Sequence, residues 1–143
     1  MVCLGNICRS PLAEGILKNL TKNKTYLVDS AGTSNYHPGA TPDPRSIVVA
    51  EKNGIDISKQ QARQISIADL DRFDHILVMD QQNLSDVLAL CDSEKQQKKV
   101  ALITEAGGLD VINIPDPYYG DEENFEYVFS LLHESCTLWL AKH

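Results

Sequence analysis

A chain of 143 residues suits one domain, residues 1–143, built around a single core. With 43% hydrophobic and 23% charged residues it reads as globular; no apolar run is long enough to enter a membrane as a span, and no basic-then-apolar leader opens it. The net charge of -7, from 20 acidic and 13 basic residues, argues against nucleic acid as a partner, but not against one small phosphate group held locally.

The first apolar segment is only Met1 and Val2 before the polar stretch CLGNICRS. That is short for a central strand, so native residues are expected to precede it. Ser10-Pro11 places a capping hydroxyl before a proline suited to a first helical turn, and Leu12, Ile16, Leu17 and Leu20 follow at helical spacing. Thr25 to Gly32, TYLVDSAG, reads as a strand running into a glycine turn, and Asn35 to Pro44 as loop. A helix is predicted over Arg45 to Asn53, stopped by Gly54. Phe73 to Asp80, FDHILVMD, reads as a buried strand, Asn83 to Leu90 as helix and Val100 to Thr104 as a further strand. From Glu122 to Ala141, Phe125, Val128, Phe129, Leu132, Cys136, Trp139 and Leu140 recur every three or four residues, the mark of a long amphipathic helix. Strands separated by helices imply a parallel sheet covered on both faces, with ligands beyond the carboxyl ends of its strands. CLGNICRS, DSAGTSNY and DPYYG would then converge on one mouth.

Within CLGNICRS, five residues separate Cys3 from Arg9. A loop curled over that distance points successive backbone N–H groups inward as a nest for an oxyanion. Gly5 permits close approach and unusual dihedrals, and Asn6 tolerates the left-handed region. Arg9 offers a planar fork for phosphate oxygens, and a helix starting at Ser10 aims its positive end at the same spot. Leu4, Ile7 and Cys8 complete the loop, with Ser10 placed to donate to the thiol. Cys3 at the bottom of this bowl is expected to have a lowered pKa and to act as a thiolate. The competing reading makes Cys3 and Cys8 core residues and Arg9 a surface charge. The spacing of Cys3 and Cys8, with no second pair, argues against a metal site, and no nucleotide-binding glycine motif is present. Four cysteines, Cys3, Cys8, Cys91 and Cys136, are too few and too uneven for a disulfide scaffold, so reduced thiols and a cytoplasmic location are expected.

CLGNICRSP resembles the signature of the low-molecular-weight protein tyrosine phosphatases. The resemblance continues through DSAGTS (29–34), PDPRS (42–46), QARQ (61–64), FDHILVMDQQN (73–83) and DPYYG (116–120) and covers nearly the whole chain. It implies an α/β fold of the phosphatase I-like type, three layers with a four-stranded parallel twisted sheet and helices on both faces. It implies hydrolysis of phosphotyrosine through a phosphocysteine on Cys3, with no metal and no cofactor. The partners implied are phosphotyrosine proteins or peptides and a phosphate-like anion in the site. A monomer is expected, with weak dimerisation as the alternative.

Expelling a phenolate from phosphorus calls for a general acid. Asp116, between Pro115 and Pro117, occupies the place where the family carries its acid, which then serves as base for water. Tyr118 and Tyr119 are expected on one wall of the cleft, and Tyr36 with His37 on the other. By resemblance, Ser30 hydrogen-bonds the Asn6 side chain. Asp80 is expected to anchor the loop backbone or the following helix. Gln60 stands where relatives commonly carry a histidine bonded to the signature serine, and its amide is expected to support Ser10. The resemblance also implies that Cys3 and Cys8 can join in a disulfide. Three rivals are weighed. Arsenate reduction lacks its resolving cysteine pair, since only Cys91 lies shortly after the third strand. Phosphoarginine hydrolysis is disfavoured by Ile7 and the tyrosines, and a silent phosphotyrosine-binding module by the presence of Cys3, Arg9 and Asp116 together.

Overall fold

In the computed structural model, which describes residues 1–143, four short strands run parallel in the order β2-β1-β3-β4. They are β1 (Val2–Cys3), β2 (Ala31–Gly32), β3 (Ile76–Val78) and β4 (Val100–Leu102). Val2 stands opposite both Ala31 and Val78, and Ile76 opposite Val100. Parallel neighbours need long crossovers, and helices supply them. Helix α1 (Arg9–Leu20) joins β1 to β2; α2 (Pro44–Lys52) and α3 (Ile67–Arg72) lie between β2 and β3. Helices α4 (Gln81–Leu88) and α5 (Glu94–Gln97) lead to β4, and α6 (Ile103–Gly107) and α7 (Glu122–Ala141) follow it.

Strand side chains alternate between the two faces. Leu77 and Met79 join Cys3 in the larger core, with Leu12 and Ile16 of α1, Ile103 of α6 and Phe125 and Leu132 of α7. Ile76 and Val78 join Val2, Ala31 and Leu102 on the opposite face, under Leu70 of α3 and Val87 of α4. Both faces are therefore covered, giving the three-layer α/β fold with a parallel sheet. Helix α7 has the bounds its periodicity predicts, and Asp121 and Asn124 close a capping box at its start. No helix is long and apolar enough to cross a membrane.

Several elements differ from the sequence expectation. The strand predicted over Thr25 to Gly32 forms a ladder only at Ala31 and Gly32, because its neighbour β1 is two residues long. Helix α1 begins at Arg9 with Cys8 in the cap position, so Ser10 lies inside the helix rather than capping it. Helix α2 starts one residue earlier than predicted, because Asp43 accepts the Arg45 N–H at 2.9 Å and Pro44 takes the first helical position. Asp80 caps α4 by accepting the Asn83 N–H, which moves that start to Gln81. Helix α6 follows β4 directly and takes Ile103 and Thr104 out of the expected strand. The short helices α3 and α5 have no apolar period to announce them; Ser66 with Asp69, and Ser93, cap their starts.

Candidate active site

Strand β1 turns to β2 on one side, while β3 lies on its other side. Ligand crevices open at such a reversal, beyond the carboxyl ends of the strands. The loop Leu4–Cys8 leaves β1 at this point. Carbonyls at both ends of the loop are bonded into the fold: Cys3 O accepts from Thr33 N at 2.9 Å, Leu4 O from Ser34 N at 3.0 Å, and Ile7 O from Asp43 N at 2.8 Å. The N–H groups of Gly5, Ile7 and Cys8 have no acceptor within the chain. A curled loop anchored at both ends with free N–H groups is an anion nest.

Asn6, not Gly5, carries the left-handed conformation, with φ 55°. Its side chain secures that geometry from both ends. Nδ2 donates to Ser10 Oγ at 2.7 Å and to Ser30 Oγ at 3.0 Å, and Oδ1 accepts the Arg63 N–H at 3.0 Å. The loop also lies directly on Gly32. A Cβ there would come within 2.7 Å of the Leu4 carbonyl oxygen and 3.2 Å of Asn6 N, so only glycine allows the approach.

Cys3 is 3% exposed, with its sulfur 3.3 Å from the Asn6 N–H and 3.0 Å from Ser10 Oγ. Because Ser10 Oγ accepts from Asn6, its own proton is left for the sulfur or for Ala31 O at 3.4 Å. Burial pushes the Cys8 thiol up to about 12, with the nearby Asp43 carboxylate adding to the shift. All four cysteines are free. Arg9 is 2% exposed and held from behind: Nη1 donates to Asp80 Oδ2 at 2.6 Å and to Ile114 O at 3.0 Å. Nε and Nη2 make no hydrogen bond within the chain, and Nη2 lies 3.6 Å from Asp116 Oδ2. Asp80 thus holds both the guanidinium and the start of α4.

Above the loop is a cavity of about 330 Å³. Cys3, Leu4, Gly5, Ile7, Cys8 and Arg9 form its floor; Tyr36 and His37 line one wall; Asp116, Tyr118 and Tyr119 line the other. Tyr118 and Tyr119 meet edge to face with centroids 5.0 Å apart. Asp116 Oδ1 accepts the Tyr118 N–H at 3.1 Å, which leaves Oδ2 toward Arg9.

Asn6, Ser10, Ser30 and Asp80 lie behind this floor as supports. Gln60 does not. Its amide donates to Pro11 O at 3.1 Å and makes no bond to Ser10, whose hydroxyl is engaged by Asn6 and Cys3. Three residues of the site escaped the sequence reading. Glu14, 4% exposed, accepts the Ser30 hydroxyl at 2.7 Å. Arg63 supplies the backbone donor to Asn6 while its side chain pairs with Asp69 and Asp29. Arg45 reaches from α2 to the acid loop, donating to Tyr118 O at 2.9 Å and Gly120 O at 3.0 Å while bonded to Asp43. An acidic residue set among Leu12, Ala13, Ile16 and Leu17 was the available signal for Glu14; PDPRS and QARQ contained the arginines.

A sulfur ringed by donors at the base of an oxyanion nest, with a cation and a carboxylate above it, defines a cysteine-dependent phosphatase centre. The model of the family described as low molecular weight phosphotyrosine protein phosphatase matches residues 1–143. The chain is 40% identical over 161 residues to the low molecular weight phosphotyrosine protein phosphatase of Dictyostelium discoideum, covering 99% of this chain and 90% of that one. Its fold is similar to the protein tyrosine phosphatase of Entamoeba histolytica, crystallised with Hepes in the active site (TM-score 0.92, 35% identity, 99% of this chain and 92% of that one). It is also similar to Vibrio vulnificus Wzb in complex with benzylphosphonate (TM-score 0.88, 33% identity, 99% and 95% covered). The chain belongs to the low molecular weight phosphotyrosine protein phosphatase family. It is a hydrolase with phosphocysteine-based tyrosine-phosphatase chemistry.

Proposed function

We propose that Cys3 is the nucleophile, Arg9 the phosphate clamp and Asp116 the acid and then the base, acting on phosphotyrosine in proteins or peptides. The carrying observation is that all three side chains line one cavity, with Arg9 Nη2 3.6 Å from Asp116 Oδ2. The phosphate sits with its non-bridging oxygens on the N–H groups of Gly5, Ile7 and Cys8 and on the Nε and Nη2 edge of Arg9. Nη1 is already taken by Asp80 and Ile114, so the guanidinium needs no reorientation to bind. Cys3 Sγ attacks phosphorus, the P–O bond to the ring breaks, and Asp116 gives its proton to the leaving phenol oxygen. Asp116 then takes a proton from the water that attacks the phosphocysteine, releasing phosphate and the sulfur. Ser10 donates to that sulfur as it leaves.

The walls favour an aryl leaving group. Tyr36 and Tyr119 are 70% and 97% exposed, so their rings are free to stack on a substrate ring. Benzylphosphonate, bound by the Vibrio vulnificus relative, has the aryl and phosphorus-oxygen parts that this cavity and nest would receive. We place this activity in a single domain in the reducing cytoplasm, consistent with four free thiols. Cys3→Ser is the direct test. It should abolish release of phenol from an aryl phosphate while inorganic phosphate still binds; substantial residual turnover sinks the assignment.

A further inference from the structure

Glu14 is a carboxylate inside the molecule that takes no part in the proposed reaction steps. It sits on α1, 4% exposed, with both oxygens engaged. Oε1 accepts the Ser30 hydroxyl at 2.7 Å, and Oε2 accepts Lys18 Nζ at 2.8 Å, one helical turn away. A carboxylate offers acceptors only, so the single Ser30 proton is committed to Glu14. Ser30 Oγ is left with lone pairs, one of which receives Asn6 Nδ2 at 3.0 Å. The Arg63 N–H on Oδ1 stops the Asn6 amide from turning over. Its second Nδ2 proton goes to Ser10 Oγ at 2.7 Å, and the Ser10 proton is left for Cys3 Sγ at 3.0 Å, with Ala31 O at 3.4 Å as the other acceptor. The direction of donation is set at every link from Glu14 to Ser10 Oγ.

This ordering needs Glu14 to stay a charged acceptor, and a buried carboxylate without a cation is costly. Its ion-pair partner is Lys18, whose side chain is 54% exposed. Gln60 lines the same groove but carries no charge, and its amide is spent on Pro11 O. The groove, about 480 Å³, is separate from the substrate cavity, sharing none of its lining residues.

We propose that Glu14 and Lys18 form a positioning pair for the catalytic loop, holding the Ser30–Asn6–Ser10 chain in the orientation that keeps the Ser10 proton free for Cys3. The pair rests on Cys3 being the nucleophile and touches no substrate. Its loss lowers kcat and leaves KM unchanged.

The experiment compares Lys18→Met, Lys18→Arg, Glu14→Gln, the double variant Lys18→Met with Glu14→Gln, and Lys22→Met, a lysine of the same groove outside the chain of bonds. Kinetics are measured on a chromogenic aryl phosphate, with thermal melts as a folding control. Lys18→Met should lower kcat about fivefold, the rate equivalent of one intramolecular hydrogen bond. KM should stay constant, and Lys18→Arg should restore most of the rate. Glu14→Gln keeps an acceptor for Ser30 but turns an N–H₂ toward Lys18, so it too should slow turnover. The double variant should be no slower than the slower single one. Unchanged kcat in Lys18→Met, an equal fall in Lys22→Met, or additive losses in the double variant overturns the pair. An active Cys3→Ser would instead overturn the nucleophile assignment, and the two failures are told apart by that variant.

Discussion

Asn6 is where backbone strain and hydrogen bonding can be weighed separately. It is 3% exposed, holds φ 55° and makes three side-chain bonds, to Ser10, Ser30 and the Arg63 N–H. Asn6→Gly removes the bonds and keeps the dihedral free of strain. At about 1 kcal/mol per bond the cost is about 3 kcal/mol. Asn6→Ala removes the same bonds and adds about 1–2 kcal/mol for a Cβ in the left-handed region. Glycine's greater freedom in the unfolded chain takes back about 0.5–1 kcal/mol of that difference. Asn6→Ala should therefore be less stable than Asn6→Gly by about 1 kcal/mol, with both about 3 kcal/mol or more below the parent. Urea unfolding curves with equal slopes measure this. An alanine variant as stable as the glycine one would show that the dihedral carries no strain. Either variant within 1 kcal/mol of the parent would show that the three bonds do not hold the loop.

Asp116→Asn should cut kcat about a hundredfold or more on phenyl phosphate and much less on a substrate whose leaving phenol is strongly acidic; equal losses on both would exclude proton transfer from this residue. Arg45→Met frees the carbonyls of Tyr118 and Gly120 and should lower kcat/KM about tenfold by loosening the acid loop, read by steady-state kinetics. The hydrogen bond from Arg45 holds the Asp43 carboxyl below the usual carboxylate range. A depressed folded pKa contributes stability present above the unfolded value and lost as pH falls through the folded one. Thermal melts across that acid range should therefore fall less steeply for Asp43→Asn than for the parent. With its thiol pushed up to about 12, Cys8 should capture an oxidised Cys3 slowly at neutral pH and faster as pH rises. Peptide mapping after mild peroxide would then give more Cys3–Cys8 disulfide, relative to overoxidised Cys3, at the higher pH.

What the sequence made legible was whatever local chemistry alone decides. Helix α7 buries Phe125, Val128, Leu132 and Trp139 at a spacing that no other element can disturb, so its bounds follow from period and caps. The floor of the site was legible because its residues are consecutive: nest, fork and thiol occupy Cys3 to Arg9. The misses share a different cause. Thr25 to Ser30 has strand chemistry, but a ladder depends on the length of its neighbour, and β1 has two residues. Pattern reading sees one segment at a time and has no access to that limit.

The same reasoning explains why Ser10 was misplaced and Gln60 misassigned. A serine before a proline caps a helix when its hydroxyl has only the backbone to bond. Here Asn6 and Cys3 bid for that hydroxyl, and a buried oxygen serving a sulfur and an amide is unavailable to the helix end. The cap position passes to Cys8 without a side-chain bond. Asn6 already supplies the Ser10 oxygen with a donor, and the Gln60 amide goes to Pro11 O instead, leaving its own Oε1 buried without a partner. The loop thus satisfies its catalytic geometry first, and the cost appears at the helix start and at Gln60. Local rules fail where several elements converge on one functional group, because there the hydrogen bonds are set by the needs of the site rather than by sequence neighbours.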